Sequence, residues 1–137
     1  MKTLVIFYTY SGNTKGFAQK LAAQESADIL EIKGAARPGA IKAYTFGCLA
    51  AMRHNAWPIS PVHADLDAYE RFFLLAPIWA GNPPPAFHAF LEQLPKGKTI
   101  VAKMISASGK SNCRAWLEET LLVKDCRLES FEDVTIR

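Results

Sequence analysis

Cysteine is scarce in this chain, and the three present do not cooperate. Cys48, Cys113 and Cys126 are odd in number, widely separated and free of any C-x-x-C pair, so neither a disulfide framework nor a zinc site is indicated. Each reads as a small buried hydrophobe. No apolar run approaches the length of a membrane span. Lys2 is followed only by a strand-length apolar run, with no small-residue cleavage pattern after it, so no signal peptide is read and a cytoplasmic location is the expectation. Charge of one sign is also lacking. The net charge is +3, with Lys and Arg spread rather than blocked, too mild a signal for nucleic acid. No G-x-G-x-x-G occurs. Gly109-Lys110-Ser111 ends like a P-loop, but Met104 stands where that motif needs glycine.

What remains is an ordinary globular balance: 137 residues, 50% hydrophobic and 21% charged. That suffices for one domain, residues 1–137, with a sizeable core. Internal repeats, low-complexity segments and linkers are lacking. Strands are expected over Thr3–Tyr8, Ala27–Ile32, Arg71–Ala76, Lys98–Ile105 and Cys126–Ile136. Helical spacing falls over Thr14–Gln24, Ala40–Met52, a segment opened by the prolines at 83 to 85, and Asn112–Val123. The stretch Arg53–Tyr69 is irregular, broken by Pro58 and Pro61. Strands alternating with helices predict a doubly wound α/β domain with a parallel sheet. Ligands in such sheets bind beyond the carboxyl ends of the strands, where three loops would meet: 9–14, 77–82 and 106–111.

The first of these is Thr9-Tyr10-Ser11-Gly12-Asn13-Thr14, between a strand and the first turn of a helix. Its hydroxyls, its glycine and its unpaired backbone N–H groups, with the positive end of the helix dipole, suit a phosphate without lysine or metal. Alternatively, Ser11 or Thr14 simply caps the helix. The second loop is Pro77-Ile78-Trp79-Ala80-Gly81-Asn82. Trp79 offers an aromatic face for a flat ligand and Gly81 lets backbone approach it; the competing reading makes Trp79 a core residue. His63, Asp65 and Asp67 sit at the amino end of the third strand, where a polar turn outweighs a metal site. His54 and Trp57 either line the pocket or lie on the surface.

The pattern T-x-S-G-x-T after the first strand, and the run Leu75 to Pro85 with Phe87, Phe90 and Leu91 behind it, resemble the phosphate loop and the P-[IV]-W-x-G-x-x-x-P segment of short-chain flavodoxin-like proteins. The resemblance covers essentially the whole chain in element order. It implies a five-stranded parallel sheet of order 2-1-3-4-5 with helices on both faces. It implies FMN as cofactor, with the phosphate on Thr9, Tyr10, Ser11, Gly12, Asn13 and Thr14. The flavin ring would lie against Pro77, Ile78, Trp79, Ala80, Gly81 and Asn82, with Ser106, Ala107, Ser108, Gly109 and Lys110 at the pyrimidine edge or ribityl chain. Two departures stand out: the final helix is missing, which would leave a sheet face under-covered and invite a homodimer, and the loop after the fourth strand has no aromatic.

Loops 9–15, 33–39, 53–63, 77–82 and 106–111 contain no Asp or Glu but hold Lys15, Lys33, Arg37, Arg53 and Lys110. Flavodoxins that shuttle electrons usually ring the flavin with acids, so the resemblance meets an opposite charge here. Two redox classes follow: an electron carrier docking a redox partner protein, and an oxidoreductase taking electrons from NAD(P)H to a small acceptor such as a quinone. Neither needs a catalytic side chain or a metal, because the flavin carries the chemistry. A non-redox phosphate-binding or interaction module on the same fold is the third class.

Overall fold

A computed structural model of the chain describes residues 2–34, 47–53, 56, 57 and 59–136. Arg37, most of the expected second helix from Ala40, and His54 and Pro58 lie outside the described residues. The elements are β1 (Thr3–Phe7), α1 (Asn13–Glu25), β2 (Asp28–Glu31), α2 (Cys48–Met52), β3 (Arg71–Pro77), α3 (Pro85–Gln93), β4 (Thr99–Ser106), α4 (Arg114–Val123) and β5 (Arg127–Thr135). A 3₁₀ turn, Leu66–Ala68, interrupts the irregular stretch before β3. All strand pairs are parallel, in the order β2-β1-β3-β4-β5.

The central strands are apolar on both sides because both faces are covered. Alternation along each strand sorts their side chains. Leu4 and Ile6, Phe72 and Leu74, Ile100, Ala102 and Met104 face one way, beneath Phe87, Phe90 and Leu91 of α3 and Leu117 and Leu121 of α4. Val5 and Phe7, Phe73 and Leu75, Val101 and Ile105 face the other, beneath Ala18, Leu21 and Ala22 of α1. Pro85 starts α3 at a position where proline's missing N–H costs nothing.

Beyond α1 the second face carries its own cover. The register of β5 slips between Leu128 and Ser130 opposite Ile100 and Val101, a bulge that leaves Glu129 as the extra residue. Glu129 accepts from the Arg71 guanidinium at 2.8 Å, and Lys103 pairs with Glu132 at 2.9 Å. The Arg71 guanidinium also lies over the Phe73 ring, 4.7 Å from its centroid. Long charged side chains thus lay their stems over apolar residues, and Phe73 and Val101 are only 3% and 4% exposed. Two ion pairs thus lie over part of the face expected to be under-covered.

Packing, more than charge, should therefore set the value of Arg71. Its Nε is buried without a hydrogen-bond partner among the described residues, and part-exposed ion pairs contribute only about 0–1 kcal/mol. Arg71→Met keeps the cover on Phe73 and should change unfolding free energy by less than about 1 kcal/mol. Arg71→Ala uncovers the ring and should cost about 1–3 kcal/mol. Urea unfolding of both variants checks this; equal losses would mean that the ion pair dominates.

Candidate functional site

The parallel sheet delivers loops 9–14, 77–82 and 106–112 to the same edge. In the first, Gly12 occupies the N-cap of α1 with φ 102°, and no side chain caps the helix. Neither Ser11 nor Thr14 fills the capping role, so that alternative reading of the loop falls away. Thr9 Oγ1 instead accepts from the Gly12 N–H at 3.0 Å, which closes the loop on itself. The first intrahelical bond runs from Gly16 N–H to the Gly12 carbonyl at 3.2 Å. The N–H groups of Asn13, Thr14 and Lys15 precede it and point along the positive end of the helix dipole. Ser11, Gly12 and Asn13 are exposed, while Thr14 is buried. Such a loop can bind an anion with backbone donors.

Residues 79–82 form a tight turn closed twice. Trp79 N–H donates to the Asn82 carbonyl at 2.7 Å, and Asn82 N–H returns to the Trp79 carbonyl at 3.1 Å. The two central residues have positive φ, 52° at Ala80 and 84° at Gly81, as a type I′ turn demands. The Asn82 side-chain amide donates to the Ala80 carbonyl at 3.2 Å. Trp79 is half-buried, and both Tyr8 and Tyr10 meet it edge-on, with centroids 6.2 and 5.8 Å away. A Cβ placed on Gly47 would lie 2.6 Å from Trp79 Cζ3 and 3.4 Å from Trp57 Cη2. The missing side chain at Gly47 therefore lets both Trp79 and Trp57 approach the backbone there.

The third loop is tied to both neighbours. Asn112 N–H donates to the Gly81 carbonyl at 2.7 Å, and the Asn112 amide fills the space where a Gly81 side chain would be. This bond keeps Asn112 out of the helix, so α4 begins at Arg114 rather than at 112. Gly109 packs against Thr135 of β5, and its N–H donates to Ser106 Oγ at 3.0 Å. Ser111 Oγ donates to Asp133 of β5 at 2.6 Å, and the buried Cys113 thiol donates to Ser111 Oγ at 3.6 Å. Burial pushes the Cys113 pKa above its ordinary value. Lys110, Ala107 and Ser108 are exposed.

The sequence reading identified the three loops but missed their ties: Gly47, Asn112, Asp133 and Thr135. None carries a local signal, because each acts across the fold. It also missed His88, buried on α3, whose Nε2 lies 3.1 Å from the Pro83 carbonyl at the end of the second loop. The acid-free edge needs correction as well. The loops lack acids, but adjoining strands supply them: Glu31 approaches Lys15 to 3.9 Å, and Asp133 supports loop 106–112. Among the described residues, no cluster of His, Cys, Asp and Glu could hold a metal, and no helix is long and apolar enough to cross a membrane.

The type I′ turn predicts opposite outcomes at its two central positions. Gly81→Ala places a methyl 2.6 Å from Asn112 Nδ2 at a φ that alanine disfavours, and should cost about 1–2 kcal/mol or more. Ala80→Gly relieves the strain already present and should be neutral or stabilising by up to about 1 kcal/mol. Thermal unfolding of the two variants measures both signs.

No protein-family model and no curated protein sequence matches the chain. Solved structures do. A protein of Bacteroides eggerthii provisionally classed as a flavoprotein superposes with a TM-score of 0.81 at 23% identity, covering 96% of this chain and 86% of that one. A flavoprotein of Lactobacillus acidophilus, solved in complex with FMN, gives 0.77 at 18% identity, covering 95% and 91%. Oxidised flavodoxin 1 of Bacillus cereus gives 0.59 at 21% identity, covering 100% and 87%. Strand order, helix placement and these likenesses together make this a protein of the flavodoxin-like fold.

Proposed function

We propose that the chain binds FMN at the carboxyl edge of its sheet and works as a redox protein. The observation that carries this reading is the uncapped N-terminus of α1, opened by a hydroxyl-bearing, acid-free loop, on the same edge as the Trp79 turn. The donor set fits a phosphate monoester. Thr9, Ser11 and Thr14 supply hydroxyls, the first turn of α1 supplies N–H groups, and nothing in the loop itself is negative. The aromatic chain of Tyr8, Tyr10 and Trp79 suits the apolar ring. Pro77 and Ile78 would flank it, and loop 106–110 would meet its polar edge. FMN, when bound, supplies the electron chemistry, so the residues need only bind, orient and shield.

Riboflavin, which lacks the phosphate, separates this reading from a non-redox module. Each lost charge-assisted hydrogen bond costs about 1.5–3 kcal/mol, so loss of two makes riboflavin at least about a hundredfold weaker than FMN. Calorimetric titration of the protein with both ligands is the test. Equal affinities remove the phosphate from loop 9–14, and no binding of either favours the non-redox module.

Within the redox reading, charge favours an NADPH-linked oxidoreductase over a carrier that docks basic reductases. Lys33 and Lys110 are exposed on the segments that follow β2 and β4, Arg53 is exposed after α2, and Lys15 is only loosely paired. Exposed charges are screened by salt. The KM for NADPH should therefore rise with ionic strength more steeply than that for NADH, and Lys110→Glu should raise it further. Steady-state oxidation of both nucleotides by the FMN-loaded protein, with a quinone as acceptor, checks this. Turnover without any salt or Lys110 dependence would leave the cations without a role, and no turnover would favour the carrier.

A further inference from the structure

The loop over residues 106–112 is held from below by a relay that ends on a carboxylate. The Cys113 thiol donates to Ser111, and Ser111 donates to Asp133 of β5, at 3.6 and 2.6 Å. The loop is tied to β5 by the Ser111–Asp133 hydrogen bond, by the Ile136 N–H donating to the Ser106 carbonyl and by Gly109 packing against Thr135, and to the Trp79 turn by the Asn112 N–H on the Gly81 carbonyl. Only the Ser111 contact is charge-assisted, and such bonds are about twice as strong as neutral ones. Asp133 lies opposite Met104 in the β4–β5 register, beside the core into which Cys113 packs. Burial raises the thiol's pKa, the Ser111 hydrogen bond partly offsets this, and the Asp133 charge adds to it.

We propose that Asp133, acting through the Ser111 hydroxyl, is the positioning residue for the loop that meets the flavin ring, and that its charge holds the two-electron reduction potential down. The second half of this rests on the FMN reading; the first does not. The carboxylate contributes twice because its two roles are separable. A hydrogen-bond acceptor of the right shape fixes the loop, and a negative charge disfavours the anion that forms when the ring is fully reduced. Asparagine keeps the first and removes the second.

Three variants test it: Asp133→Ala, Asp133→Asn and Ser111→Ala. In the flavin-free protein, iodoacetamide alkylation of Cys113, read by peptide mass mapping, reports the relay. The parent and Asp133→Asn should stay protected, while Asp133→Ala and Ser111→Ala should react at least about tenfold faster. With flavin, Asp133→Ala should weaken FMN and riboflavin by the same factor, because the change lies at the ring end and not at the phosphate. Asp133→Asn should keep the affinity and raise the two-electron midpoint, a change that a merely structural role would not produce. Protection of Cys113 in both Asp133→Ala and Ser111→Ala overturns the positioning role, and an unmoved midpoint in Asp133→Asn overturns the charge role. A parent that binds neither flavin overturns the FMN reading and with it the charge role, while the alkylation rates still decide the positioning role.

Discussion

Everything at the candidate site depends on the parallel register of β1, β3 and β4. Phe7 pairs with Leu75, and Pro77 with Ile105, so the three central strands run out within a few residues of one another. A parallel strand must return by a crossover, and each crossover here leaves the sheet at the same edge. Loops that are distant in sequence are thereby set at matching heights. A slip of one residue in any pair would turn the core residues of that strand to the wrong face. The alternation of Phe72 and Leu74 against Phe73 and Leu75 between two separate cores prevents it.

Short-range chemistry then shapes each loop on that frame. Glycine at 12 ends the β1 loop and opens α1 without a side-chain cap, which leaves first-turn donors for an anion. The turn at 79–82 holds Trp79 by two backbone bonds, and the Gly81 carbonyl, free of any role inside that turn, receives the N–H of Asn112. One bond therefore joins the second and third loops. The absence of a Gly81 side chain is what allows Asn112 to lie there.

Charge is arranged by strands as much as by loops. The loops carry the cations, and the strand ends carry the acids that temper them: Glu31 toward Lys15, and Asp133 beneath Ser111. On the opposite face the same strand, β5, uses a bulge to aim Glu129 at Arg71 and a regular position to aim Glu132 at Lys103. An edge strand so furnished roofs apolar residues with charged stems and resists pairing with another strand.

The element order was legible from local patterns. Apolar runs of strand length, helical spacing at Phe87, Phe90 and Leu91, and punctuation by proline and glycine suffice, because these signals act within a few residues. The three loops followed, since a parallel sheet gathers them wherever the strands end. What the sequence could not carry is the set of contacts made across the fold. Gly47 lies against Trp79, Asn112 binds Gly81, Asp133 holds Ser111, and Thr135 meets Gly109. Each partner lies far from the other in sequence or belongs to a different element, and its residue type is unremarkable where it stands. Composition and spacing determined a doubly wound α/β domain with an anion-suited first loop. Only the packed sheet decided which residues hold the loops together, because register and bulge, not local preference, choose the side chain that arrives opposite each one.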